Sequence, residues 1–155
     1  MRQKNIILIL PNIRSAYNVG SIFRTSDACN IEKIYITGYT PRPDKDEKKI
    51  TKTALDAEKS VDWEYYKQPG KLIDDLKKQG YQIIALEKTK SSIDYRKFKP
   101  QFPIAVVLGH EVEGISKSLL LKVDKTVHLP MKGIKESLNV AVAWGVFAYY
   151  LKFHS

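Results

Sequence analysis

Short apolar runs alternate with helix-periodic stretches along the chain. Residues 6–10 are apolar throughout and rich in isoleucine, which predicts a strand. Over 18–29 the pattern becomes helical: Val19, Ile22 and Phe23 share a face, Asn18 is a good N-cap residue, and Asn30 suits a left-handed stop. Residues 34–37 predict a second strand ending at Gly38, and 72–78 an amphipathic helix closed by Gly80. Further strands are expected over 81–86, 104–108 and 126–129, with a helix at 116–123 between the last two. A final helix is expected over 137–153. Repeated strand and helix in alternation predicts an α/β fold, a mostly parallel sheet with helices on both faces. Residues 41–59 are the one long polar excursion and contain Pro41 and Pro43, so a mobile surface loop with a short helical piece is expected there.

The final helix has no polar face between Val140 and Leu151. A helix that is apolar all round must be covered on all sides. A small domain struggles to do this for a terminal helix, so a self-association surface is the better reading, with an internal helix as the alternative. The same stretch is well short of the ~20 residues that cross a bilayer, and the run at 6–10 is too short for a signal peptide.

At 155 residues, 43% hydrophobic and 28% charged, the chain has the length and composition expected of one globular domain, residues 1–155. Its net charge of +9 favours a polyanionic partner, nucleic acid most simply, though a solvated lysine surface accounts for the charge equally well. Cys29 is the only cysteine, which fits a reducing, cytoplasmic setting. One cysteine and three scattered histidines argue against a structural zinc site, and no metal is expected.

The candidate chemistry lies where apolar strands run into glycine-relieved polar turns. Gly20 and Arg24 are one helical turn apart, so the glycine is expected to leave room beside the guanidinium. The amides opening that helix offer a phosphate site, which arginine can grip with paired hydrogen bonds. A plain surface ion pair, for example to Asp27, is the alternative. Glu111 follows a buried strand and is expected to pair with Arg24 or to cap the helix at Ser116. His110 reads as a hydrogen-bonding loop residue rather than a metal ligand. Ser137 is a candidate cap for the last helix, and Asn139 needs a specific partner if it is buried. Leu129, Pro130 and Met131 set main-chain groups beside apolar side chains, which suits a planar base such as adenine. There is no G-x-G-x-x-G after the first strand, no Walker lysine loop and no nucleophile elbow, which removes the main support for dinucleotide, P-loop and Ser-His-Asp readings.

Three ordered segments together resemble the motifs of the SpoU/TrmH family within the SPOUT superfamily of RNA methyltransferases. They are Asn18-Val-Gly20 with Arg24, Leu108-Gly109-His110-Glu111 with Gly114 and Ser116, and Leu129-Pro-Met131 with Gly133, Ser137 and Asn139. The stretch 50–58 with Trp63 and Glu64 also resembles the family. The resemblance implies methyl transfer from S-adenosylmethionine to a ribose 2'-hydroxyl in tRNA or rRNA. It also implies a C-terminal deep trefoil knot and a homodimer formed through the C-terminal helix. It maps the cofactor onto Leu86, Glu87, Leu108, Gly109, Leu129, Met131, Ser137 and Leu138. Arg24 takes the place of the catalytic arginine, supported by Asn18, Glu111, Ser137 and Asn139. Three positions depart from the pattern: His110 where asparagine is usual, and Val112 and Asp56 where glycine is common. Val112 puts the shape of the second loop in doubt, because β-branching disfavours a positive φ.

Without a further domain, RNA would be gripped by Arg24 and by surface cations. The candidates are Lys45, Lys48, Lys49, Lys52 and Lys59, and Lys88, Lys90, Arg96, Lys97 and Lys99, with Trp63 and Tyr95 as stacking faces. The rival function is a non-catalytic RNA-binding dimer on the same fold.

Overall fold

The computed structural model describes residues 3–154. The run at the start forms β1 (Ile6–Pro11), buried along its whole length. It is followed by α1 (Ala16–Ala28), β2 (Lys33–Thr37), α2 (Glu47–Ala54), α3 (Ala57–Ser60) and β3 (Trp63–Tyr65). The second half holds α4 (Pro69–Lys78), β4 (Gln82–Leu86), β5 (Ile93–Asp94), β6 (Ile104–Val107), α5 (Lys117–Leu120), β7 (Lys125–His128) and α6 (Val140–Phe153). The polar excursion at 41–59 is thus more ordered than expected, with α2 and the start of α3 lying in it.

All strand pairings are parallel, in one seven-stranded sheet of order β3-β2-β1-β6-β4-β7-β5. Alternate residues feed opposite cores. Ile6, Leu8 and Leu10 of β1, with Ile104 and Val106 of β6, face one core, which α1, α2 and α6 cover with Phe23, Ile50, Trp144 and Phe147. Ile7, Ile9, Ala105 and Val107 face the other, covered by α4 and α5 with Leu72, Leu76 and Leu119. Helices therefore lie on both faces, as the alternating pattern predicts.

The two cores also fix the path of the chain. The segment leaving β4 runs beyond β7 to form edge strand β5, then returns to β6 on the other side of β4. Strand β7 is reached from α5 on one face and leaves into α6 on the other. Helix α6 is clamped to α1 by the Trp144 Nε1 donor bonded to the buried Ser26 Oγ at 3.1 Å. Its other side is bare: Val142, Val146, Tyr149 and Phe153 are all exposed. Their spacing of four, three and four residues makes one stripe along the helix. Among the described residues no helix is long and apolar enough to cross a membrane.

Candidate active site

The turn after β6 is held by the monomer itself. Gly109 sits where a Cβ would lie 2.8 Å from backbone atoms of Gly114 and Ile115, so only glycine fits. His110 and Gly114 exchange backbone hydrogen bonds at 3.2 and 2.9 Å. The His110 Nδ1 accepts from the amides of Val112 and Glu113, both at 3.0 Å, so it is the hydrogen-bonding loop residue expected. The positive φ of this turn falls on Gly114 (φ 71°), not on Val112, which removes the doubt raised by β-branching. Glu87, just past β4, closes the turn from behind by accepting from the Ile115 amide at 2.8 Å.

Glu111 is the hub. Its carboxylate accepts from the amides of Arg14 at 3.0 Å and Ser15 at 3.1 Å, and from Asn18 Nδ2 at 3.0 Å. It therefore pairs neither with Arg24 nor with the Ser116 helix. It takes the anion position at the start of α1, where donors and the helix dipole converge. Burial pushes this carboxyl up, but the bonds from Arg14, Asn18 and Ser15 outweigh burial and hold it below its ordinary value. Asn18 is not the cap of α1: Ser15 is, accepting from the Asn18 amide at 3.2 Å. Asn18 instead spends its side chain on long-range bonds, its Oδ1 accepting from Asn139 Nδ2 at 3.1 Å. Asn139, rather than Ser137, caps α6, its Oδ1 accepting from the amides of Ala141 and Val142. A relay thus runs Glu111, Asn18, Asn139 and into α6, joining all three sequence segments.

Beside the relay lies a cavity of about 890 Å³. All eight residues expected to hold a cofactor line it, from Leu86 and Glu87 to Ser137 and Leu138, together with Glu111 and Asn139. Leu86, Leu108, Leu129 and Met131 supply apolar surface, which fits a flat aromatic group between main-chain donors and acceptors. Two lining residues went unseen in the sequence. The Thr89 Oγ1 is buried without a hydrogen-bond partner, and His128 is steadied by a 2.8 Å contact between its Nδ1 and Ser92 Oγ. Neither carries a local signal, because both depend on β5 and β7 pairing at the sheet edge. Among the described residues no three acidic, histidine or cysteine side chains are grouped to hold a metal.

Arg24 stands apart from the relay. It is exposed and makes no ion pair among the described residues, and it lines a separate groove with Lys52, Thr53 and Tyr149. Gly20 does not open space beside it. Any Cβ there would collide with Thr53 Oγ1 and Ile50 O, so the glycine serves close packing of α1 on α2. Lys45, Lys48, Lys49 and Lys52 are exposed on and before α2. Arg96 lies instead by β5, gripped by Asp94 at 2.6 and 3.1 Å. Trp63 and Tyr95 are half-buried against the core.

Residues 5–149 match the family described as SpoU rRNA Methylase. A tRNA (guanosine(18)-2'-O)-methyltransferase of Aquifex aeolicus is 31% identical over 96% of this chain and 69% of its own length. An AdoMet-bound rRNA methyltransferase from Sinorhizobium meliloti superposes with a TM-score of 0.86 at 22% identity, over 99% of this chain and 57% of that one. A structure bearing on the 2-OH methylation of C/U34 on tRNA matches with a TM-score of 0.80 at 22% identity, over 96% of this chain and 94% of that one. This chain therefore spans only part of two of these three proteins. The match across nearly all of the sequence, on motifs of which two line one cavity and the third is bonded to its wall, places the chain in the SpoU rRNA methylase family.

Proposed function

We propose that this protein transfers a methyl group from S-adenosylmethionine to a ribose 2'-hydroxyl of tRNA or rRNA. The observation that carries this reading is the cavity lined by the second and third motif segments, to which the Glu111–Asn18–Asn139 relay ties the first. Family membership and the 2'-O-methyltransferase activity of the Aquifex relative support it. The cavity fits the cofactor: its volume is in the range for small-molecule sites, and its apolar residues alternate with main-chain groups and the unpartnered Thr89 hydroxyl. When bound, the sulfonium supplies an already activated methyl group.

The protein's part is then positioning. Leu129 and Met131 would hold the base, and Glu87 and Gly109 set the shape of the second loop. The relay fixes the start of α1 relative to α6. Ser137, at the mouth, faces the incoming ribose. A free guanidinium has a pKa above ~12 and makes a poor base, so Arg24 acts as a phosphate clamp and stabilises the developing alkoxide while the 2'-proton passes to solvent water.

Arg24 and the cavity occupy different grooves of one protomer, and Tyr149 of the bare α6 stripe lines the Arg24 groove. A homodimer through α6 covers that stripe and lets Arg24 of one copy serve the cavity of the other. The threading of β7 inside the β4–β6 excursion, with α6 emerging on the opposite face, supports the trefoil knot. Residues 1–155 act as one methyltransferase domain in the cytoplasm, and RNA is held by the α2 lysines beside Arg24, with Arg96 at the far edge.

Calorimetry with S-adenosylmethionine, followed by mapping of 2'-O-methyl sites in treated tRNA and rRNA, tests the activity. Heat of binding and new methyl marks are expected, whereas RNA binding with no cofactor heat would establish the non-catalytic rival. Near-normal transfer by Arg24→Ala or Arg24→Lys would refute the role of Arg24. Mixing Arg24→Ala with the cavity variant Gly109→Val should restore transfer, because each mixed dimer regains one intact site. No recovery would refute the shared site.

A further inference from the structure

Tyr39 is an aromatic side chain that neither the core nor the α6 stripe uses. It is 61% exposed, yet its backbone is rigidly held. Its amide donates to Asn12 Oδ1 at 3.0 Å, and the preceding Gly38 is at φ 61° with the Asn12 side chain tucked where a Cβ would lie. Asn12 is itself left-handed at φ 54°, and Thr40 Oγ1 ties the same turn to β1 by accepting from Ile13 N and donating to Leu10 O, both at 2.8 Å. An open ring on so fixed a turn is a presented surface rather than a frayed loop.

The ring has one aromatic neighbour, His110, at 6.5 Å between centroids and 78° between planes. Two rings meeting near a right angle make a corner. One wall offers a π-face and the other an edge. His110 also has a defined edge. Its Nδ1 accepts from two amides, so the neutral ring carries its proton on Nε2 and has a donor to give. The corner stands at the carboxyl ends of β1, β2 and β6, and His110 lines the cavity next to Glu111. In a parallel α/β sheet this is the end where ligands bind.

We propose that Tyr39 and His110 form the stacking site for an RNA nucleobase at or next to the nucleotide being modified. This inference rests on the proposed function and adds a base subsite to it. The flat base lies against the Tyr39 ring, and His110 Nε2–H meets an acceptor on the base edge. Stacking of this kind tolerates any base, and the histidine donor favours one with an acceptor edge. Tyr39 and His110 thus take the stacking role expected of Trp63 and Tyr95, which the core engages.

The test uses the full chain and two probes, unmodified tRNA transcripts and a single-stranded RNA carrying 2-aminopurine. Tyr39→Ala should raise the KM for RNA on the order of 10–100-fold, and Tyr39→Phe should stay near wild type. Both should leave the affinity for S-adenosylmethionine unchanged. His110→Asn keeps a side-chain acceptor for the two amides while removing the ring, so it should keep the unfolding midpoint and raise the KM for RNA. The 2-aminopurine fluorescence should be quenched by wild type and Tyr39→Phe, and much less by Tyr39→Ala. Equal quenching by wild type and Tyr39→Ala, or a parallel loss of cofactor binding in Tyr39→Ala, would overturn the stacking site. Because quenching needs no methyl transfer, a protein that quenches but never methylates would overturn the activity and leave the stacking site standing.

Discussion

The second and third motif loops face each other across one cavity and are built in opposite ways. The second, at 109–116, is closed by its own bonds: His110 with Gly114, His110 Nδ1 with two amides, Glu87 with Ile115, and Glu111 with the start of α1. In the third, residues 132–138 are exposed without exception, Ile134 at 98%, and no side-chain or backbone hydrogen bond ties them among the described residues. One loop is preformed by the monomer. In the proposed function the other is left to be completed by what would bind it, the cofactor inside and a second copy outside. Binding loops drawn from the weakly held end of a structure behave in this way.

The largest effect should come from cutting the hub of the preformed loop. Glu111→Ala removes the acceptor of three bonds. It should lower methyl transfer on the order of 100-fold through misplacement and cost about 1–3 kcal/mol in denaturant unfolding. The same residue sets a pH dependence. Its folded carboxyl lies below its ordinary value of 4.5, so its contribution to stability is full above that value and is lost as pH falls through the folded value. Glu111→Gln should therefore be less stable than wild type at neutral pH, with the gap closing in acid. A gap that stays undiminished as pH falls far below 4.5 would contradict this.

Next in size is Gly109→Ala. Its Cβ meets backbone rather than a movable side chain, so the second loop must shift. A loss of about 1–3 kcal/mol and a clear drop in cofactor affinity by calorimetry are expected. Ile134→Asp on the third loop should show the contrast. Unfolding of the isolated monomer should move by no more than about 0.5 kcal/mol, while cofactor affinity or dimer formation, read by sedimentation, falls. Equal destabilisation by Gly109→Ala and Ile134→Asp would erase the distinction between the loops. The smallest effect should be Asp56→Gly, away from both. Asp56 is left-handed at φ 72°, where glycine is free of strain, against the loss of an exposed 3.3 Å pair with Lys59. A gain of about 0.5 kcal/mol is expected from thermal unfolding.

Much of this was legible in the sequence where the signal is local. The long strands β1, β4 and β6 and the helices α1, α4 and α6 follow from apolar periodicity and come within a few residues of expectation. The edge strands β3 and β5 escaped because two or three residues, half-buried and partly polar, carry no periodicity. The cavity residues were placed by motif resemblance, and the structure gathers them. Their bonding was not legible. Asn18 and Glu111 are 93 residues apart in sequence, and Asn18 and Asn139 are 121 apart. Only the assembled sheet brings them together, which is why Asn18 looked like a local cap and Glu111 like a partner for Arg24. Gly20 misled for a similar reason, since α2, which fills the space above it, lies in a segment that read as a loop.

Amide hydrogen exchange with and without S-adenosylmethionine tests the central contrast most directly. Residues 109–116 should be protected already in the free protein and change little, and residues 132–138 should exchange freely alone and become protected once the cofactor is added. Exchange at 132–138 that the cofactor leaves unchanged, or a second loop as open as the third before it binds, would contradict the account.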